Sequence, residues 1–207
     1  MAHIPDGVLG APVLIAGALA SAGLTAVALR RLQDEHLPAA AVLTSTFFVA
    51  SLIHLPLGPT SIHPLLNGLM GLILGWTAVP AILVALALQA VFFGFGGLWS
   101  LGVNTLNMAV PALLCGWLLA PRLKGAGATR ASFIGFLASC CAVLLTGLLV
   151  ALSLAASGEL FQPAARLIFL TYAPLALIEG IVTASILGLV QQVAPELLVH
   201  PREHPDA

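Results

Sequence analysis

The chain has 207 residues, of which 60% are hydrophobic and only 7% charged, with a formal net charge of −1. A soluble domain carries roughly 25% charged residues, so this chain cannot cover a globular surface in water. With no basic stripe to neutralise phosphates, it also excludes nucleic acid as a partner. What remains is an all-α integral membrane protein, a single polytopic domain over 1–207 whose surroundings are a lipid bilayer.

The chain opens with MAHIPDGVLG at 1–10, a polar stretch before the first apolar run. No cleavable signal peptide is read there: a basic n-region is absent and Asp6 precedes the apolar stretch. The native amino terminus is therefore expected to survive apart from Met1, which is trimmed readily before a small residue such as Ala2. A transmembrane helix needs about 20 mostly apolar residues. On that criterion spans fall near 11–29, 38–56, 62–77, 79–95, 104–120, 131–155 and 166–192, about seven in all. The helix bundle would thus occupy 11–195, with a tail over 196–207. The third and fourth spans are short and separated only by the Thr77–Pro80 turn. Between the fourth and fifth, GFGGLWSLGV from Gly94 to Val103 reads as a loop or broken helix. Cys115, Cys140 and Cys141 lie inside apolar runs without C-x-x-C spacing, so packing is their expected role. In the first span Ala18, Ala22 and Ala26 recur at helical spacing, which suits close helix approach either inside the bundle or against a partner.

Lysine and arginine set the direction, because cytoplasmic loops carry their excess. Seven spans with the amino terminus outside and the carboxyl terminus inside put Arg30, Arg31, Arg122, Lys124, Arg130 and Arg202 on the inner side, leaving only Arg166 outside. The expected location is the inner (cytoplasmic) membrane, crossed many times. This orientation gathers His3, His54 and His63 at the outer face and leaves His36, His200 and His204 inside. Ile53–Ile62 would be the outer loop between the second and third spans.

With Met1 removed, Ala2-His3 offers three nitrogens in sequence: the free amine, the His3 backbone amide and its imidazole. A fourth nitrogen from another histidine closes a square, a geometry that suits Ni(II) and Cu(II). Pro5 and Gly7 turn the chain and would tuck the terminus into the bundle. If Met1 is retained, Met1-Ala2-His3 supplies four nitrogens by itself. The bland alternatives are a solvated terminal histidine at position 3, and a His63 that supports a helix cap beside Thr60 and Ser61. Polar groups at the mouth of a bundle are costly in lipid, which favours the functional reading. No G-x-x-x-x-G-K-[ST] stretch is present, and GAGATR at 125–130 lacks the lysine, so the chain has no ATPase site of its own. H-E-x-x-H and G-x-S-x-G are absent too, so it does not read as an enzyme. A metal permease or channel working without ATPase partners is the competing reading.

Three stretches then carry a resemblance: the opening HIPDG, GPTSIH-x-x-x-NGLMGLILGW from Gly58 to Trp76, and GGLWSLGVNTLNM from Gly96 to Met108. Together they resemble the CbiM/NikM family, the substrate-capture (S) components of energy-coupling-factor transporters for cobalt and nickel. The resemblance implies a seven-helix S component whose N-terminal segment plugs into the bundle and coordinates the ion through Ala2, His3 and His63. The inserted Ala2 departs from the usual Met-His start, and trimming of Met1 restores the amine-to-histidine spacing. His54 has no assured counterpart and is a weaker ligand candidate. Asp6, Thr60, Ser61, Asn67, Asn104 and Asn107 are the expected outer-sphere partners of the ligands; for the three asparagines, hydrogen bonding between helices is an equal alternative. Glu179 is the sole acid within an expected span; placed towards the inner side, it reads as a partner-facing or helix-pairing residue. The implied partners are a transmembrane coupling subunit, a pair of cytoplasmic ATPases and, in some systems, a small accessory membrane subunit. Ni(II) is favoured, with Co(II) the second candidate. The ion is cargo, and no resident cofactor is expected.

Overall fold

A computed structural model of the protein describes residues 3–53, 55–57, 60–158 and 162–198. Met1, Ala2 and His54 lie outside them. Seven α-helices occur among these residues: α1 (Ala11–Arg30), α2 (Leu37–Ala50), α3 (Asn67–Leu74), α4 (Ala78–Phe93), α5 (Leu101–Leu119), α6 (Ala128–Ala156) and α7 (Gln162–Val193). Five stretches are long and apolar enough to cross a membrane: Ala11–Arg30, Asn67–Phe93, Leu101–Leu123, Ala128–Ala156 and Thr171–Val193. The expected third and fourth spans therefore form one stretch, broken at Gly75 (φ 53) by the 3-10 turn Gly75–Thr77. At about 1.5 Å per residue, α2 rises ~21 Å, short of the ~30 Å hydrocarbon core.

The expected second span overran its helix. The helix stops at Ala50, and Leu55–Leu57 (β1) pairs antiparallel with Thr60–Ile62 (β2) in the register Leu55↔Ile62, Pro56↔Ser61, Leu57↔Thr60. LPLGPTSI is apolar enough to look like more helix, but proline drives the residue before it towards extended backbone. Pro64 acts similarly on His63, and α3 begins only at Asn67 instead of near 62. Leu66, the residue before it, sits at φ 47 and is the one non-glycine residue with positive φ among those described.

α3 is the hub of the bundle. All its residues but Ile73 are buried. It reaches that position by backbone-to-backbone approach: a Cβ at Gly71 would come within 2.0 Å of the Ala112 carbonyl oxygen in α5, and one at Gly68 within 2.5 Å of Ser139 Cα in α6. Small residues are what allow helices to pack this closely in lipid. α6 and α7 form an antiparallel pair, with Gly135 against Thr183 and Leu187 and Gly147 against Tyr172. Phe47, Met70, Ile82, Met108, Val143 and Leu175 fill the core between the helices. Ile15, Val42, Val91, Phe133 and Ile181 point outwards, as lipid-facing side chains should.

Trp99 and Trp117, both strongly exposed, stand near the two ends of α5. Their spacing of about 27 Å along the helix rise approximates the hydrocarbon thickness, and tryptophan prefers its two boundaries. At the far end of α5, Arg122 donates to the Leu118 carbonyl. There too the Arg31 guanidinium lies 4.5 Å over the Trp76 ring. The near end of α5 receives the amino-terminal segment.

Candidate metal centre

The first residues turn back into the bundle and are held by the start of α5. The Ile4 N–H donates to Asn104 Oδ1 at 3.0 Å, while Asn104 Nδ2 donates to the Ile4 carbonyl at 3.0 Å. Ser100 Oγ donates to the same carbonyl at 2.8 Å. Asn104 thus grips the Ile4 backbone as a neighbouring strand would, by a matched donor and acceptor. Asp6 completes the clasp: Oδ1 accepts the Ser100 N–H at 2.9 Å and Oδ2 the Trp99 N–H at 3.4 Å. These amides lie just ahead of α5, at its N-cap Ser100 and the residue before it, and α5 has no side-chain cap of its own, so Asp6 holds the approach to the helix from across the chain.

Glycine makes room for this clasp. Gly7, at φ 84, provides the turn after Asp6. A Cβ at Gly97 would fall 2.0 Å from the Asp6 carboxyl carbon, and one at Gly96 would lie 3.1 Å from His3 Cβ. Ile4 and Leu9 pack against Val103, Val150 and Leu154, adding an apolar anchor to the polar one.

The clasp buries His3, with neither ring nitrogen hydrogen-bonded. Burial first, then the neighbouring His63 and the amino terminus, hold its imidazole down at about 3. At neutral pH the ring is therefore uncharged and carries a lone pair. His63 lies face to face with it, ring centroids 4.9 Å apart and planes inclined by 18°. Phe95 stacks near the His63 ring at 6.4 Å. His63 Nδ1 lies 3.2 Å from the Pro64 carbonyl; in the tautomer that donates this proton, Nε2 keeps the lone pair.

Among the remaining expected residues, Asn67 and Asn107 join helices, the alternative read for the asparagines from the sequence. Asp6 and Asn104 hold backbone, not imidazole. Asn67 Nδ2 donates to Thr146 Oγ1 at 2.9 Å and to the Met108 carbonyl at 3.3 Å, tying α3 to α6 and α5. Asn107 Oδ1 accepts from Ser153 Oγ at 3.3 Å, and its Nδ2 is buried without a hydrogen bond. Thr60 and Ser61 lie in β2, and α3 has no hydroxyl cap. Glu179 pairs elements inside the bundle, the second of its two readings, and corrects the partner-facing one and its placement towards the inner side. It is buried among the helices (1% exposed), and its carboxylate oxygens accept the Leu65 and Leu66 N–H groups, the latter at 3.0 Å. Glu179 therefore belongs to the histidine end of α3, not to an outward, partner-facing surface. Ser100, Phe95 and Gly96 were missed from the sequence, though the glycine-rich loop flagged their region. The small-residue stripe Ala18, Ala22 and Ala26 faces outwards, whereas Gly17, Ser21 and Ala28 face the bundle. Among the described residues no three His, Cys, Asp or Glu side chains cluster to hold a metal.

The fold and site define a multi-pass helical membrane protein with a nitrogen-donor pair enclosed at one end. The chain belongs to the CbiM family: residues 3–197 match the family described as the cobalt uptake substrate-specific transmembrane region. It is 51% identical over 112 residues to a putative metal transport protein of Haemophilus influenzae, covering 54% of each chain. It is 41% identical over 114 residues to the fused nickel transport protein NikMN of Rhodobacter capsulatus, covering 52% of this chain and 33% of that one. The matches thus span about half and about a third of those relatives' lengths. A crystal structure of a transition metal transporter shares the fold at a TM-score of 0.73, with 22% identity over 92% of this chain and 93% of that one.

Proposed function

We propose that the protein is the substrate-capture (S) component of an energy-coupling-factor importer. It binds one divalent transition-metal ion at the outer face and releases it to the cytoplasm. The observation that carries this reading is the stacked His3–His63 pair, brought together by an amino-terminal segment clasped into the bundle. A centroid spacing of 4.9 Å is within reach of one ion bound to a nitrogen of each ring, at ~2.0–2.1 Å per bond, once the rings tilt from their stacked arrangement to aim their in-plane lone pairs at it. With Met1 trimmed, the Ala2 amine and the His3 amide complete a four-nitrogen plane; with Met1 retained, Met1-Ala2-His3 would fill the plane by itself and leave His63 out. Such a plane favours Ni(II), with Co(II) second. A nickel transporter among the relatives and a cobalt-uptake family support this pair of candidates.

The orientation follows from charge. Arg31 and Arg122 sit at the end of the bundle away from the histidines, which supports the histidine end facing outwards by the positive-inside rule. Energy comes from partners: a transmembrane coupling subunit and two cytoplasmic ATPases, joined in some systems by a small accessory membrane subunit. The outward Ala18, Ala22 and Ala26 stripe suits the coupling subunit better than internal packing. The test is uptake of radioactive nickel by cells expressing this chain with or without the coupling subunit and ATPases. Uptake only with all subunits present is the expected result. Full uptake by the chain alone would overturn it in favour of a self-sufficient permease.

A further inference from the structure

Leu65 and Leu66 present two successive N–H groups at the foot of α3, immediately after His63 and Pro64. In a lipid-embedded bundle these donors have no water to satisfy them. The helix offers no side-chain cap of its own, and its N-cap residue, Leu66, is held at φ 47, where a leucine rarely sits. A left-handed leucine persists only when its surroundings over-determine it. The surroundings are Glu179. One carboxylate, from a helix 113 and 114 residues further along the chain, accepts both N–H groups, one on each oxygen. It is itself buried to 1% exposure. Asn67 finishes the turn from the other side, its Oδ1 accepting the Gly68 N–H at 3.0 Å while its Nδ2 is held by Thr146 and Met108.

We infer that Glu179 is the positioning residue of the metal site: its two-oxygen grip on Leu65 and Leu66 fixes the turn that holds His63 face to face with His3. This rests on the metal-capture reading above. Glu179 does not touch the ion. It fixes the main chain from which the His63 ring projects, and so holds that ring ready before the ion arrives. Because the grip spans α7 and the start of α3, any rotation of α7 against α3 loosens His63 directly. The clamp therefore also sets how fast a captured ion leaves.

The test uses the full-length protein in detergent micelles with Ni(II) as probe, comparing wild type, Glu179→Gln and Glu179→Asp. Glutamine keeps the shape but has one oxygen, so an NH2 group faces the second N–H. Aspartate keeps both oxygens but is one methylene short. Two readouts are taken. Backbone hydrogen exchange of the metal-free protein reports the Leu65 and Leu66 amides. Nickel affinity and dissociation rate, with the visible spectrum, report the site. Both variants are expected to exchange faster at Leu65 and Leu66 while Ile4 stays protected. Nickel should bind about ten- to hundredfold more weakly, the range typical of lost outer-sphere support, and leave faster. Aspartate should recover part of the loss seen with glutamine. Faster exchange with unchanged nickel affinity and dissociation would make the clamp structural only and overturn the inference. Unchanged exchange at Leu65 and Leu66 would overturn it at its base. If the wild type binds no nickel while the exchange behaves as expected, the metal-capture reading itself fails, and the positioning role fails with it.

Discussion

The two histidines are held by different means. His3 rides on a terminal segment clasped at its backbone by Asn104, Ser100 and Asp6, with Asp6 exposed at the loop and only Ile4 and Leu9 sunk among apolar side chains. His63 projects from a turn built into the centre of the bundle, where Glu179 and Asn67 are fully enclosed. In each case a carboxylate accepts the two N–H groups just ahead of a helix, Asp6 for α5 and Glu179 for α3. The difference lies in depth. A segment tied by a few hydrogen bonds near a chain end can be withdrawn at modest cost, whereas the buried turn cannot move without disturbing three helices. The proposed metal site would thus join a removable half to a fixed half, an arrangement suited to a cargo that must later be released.

This contrast can be broken from the removable side. The largest effect is expected from Gly97→Val, whose side chain would occupy the space of the Asp6 carboxyl group. It should expel the segment and abolish nickel binding, more than a hundredfold by titration calorimetry, while the detergent melting temperature barely changes. Asn104→Ala removes both hydrogen bonds to Ile4. About ten- to hundredfold weaker binding is expected, again with little loss of stability. Gly71→Ala probes the fixed side. Its Cβ meets the Ala112 carbonyl, so α3 must shift, and overpacking of this kind costs about 1–3 kcal/mol. Thermal unfolding should report that cost even without metal. Asp6→Ala, at the exposed end of the clasp, should be milder, about 1 kcal/mol as for a lost helix cap, with a few-fold effect on binding.

Acid offers a further separation in the metal-free protein. The folded His3 is held at about 3, below the ~6.5 of an unfolded histidine. Between those values the released segment takes up a proton that the inserted one refuses, so insertion is favoured at pH above about 6.5 and weakens as pH falls towards 3. Protection of the Ile4 amide, its exchange rate taken relative to the intrinsic rate at each pH, should fall through that window, and His3→Ala should flatten the dependence. A loss of protection of equal size in His3→Ala would show that other groups drive it.

How far the sequence was legible follows the same division. The opening MAHIPDG and the isolated His63 announced a histidine pair at one end of the bundle because polar groups stand out in an apolar chain, and the glycine-rich 94–103 stretch announced a break where the segment docks. Asp6 and Asn104 were recognisable as partners, but their task was not. Which atom they grip depends on how the segment enters, and spacing carries no trace of that. The fixed side was least visible. Glu179 read as a lone acid because its contacts lie more than 100 residues away, and nothing local reveals that a leucine adopts φ 47. The pairing of Leu55–Leu57 with Thr60–Ile62 hid for the opposite reason, since these residues are apolar enough to pass for helix.

The central claim is that the first residues and His63 form one metal site. Its most direct measurement is a Ni(II) titration of the purified protein followed by visible absorption and metal stoichiometry, alongside His3→Ala and His63→Ala. The account predicts one ion per chain with the yellow absorption of a square-planar nitrogen site, lost in both variants. Loss in His3→Ala but retention in His63→Ala would mean that an untrimmed Met1 supplies the fourth nitrogen, contradicting the two-segment site. No stoichiometric binding by the wild type would contradict the metal-capture account altogether.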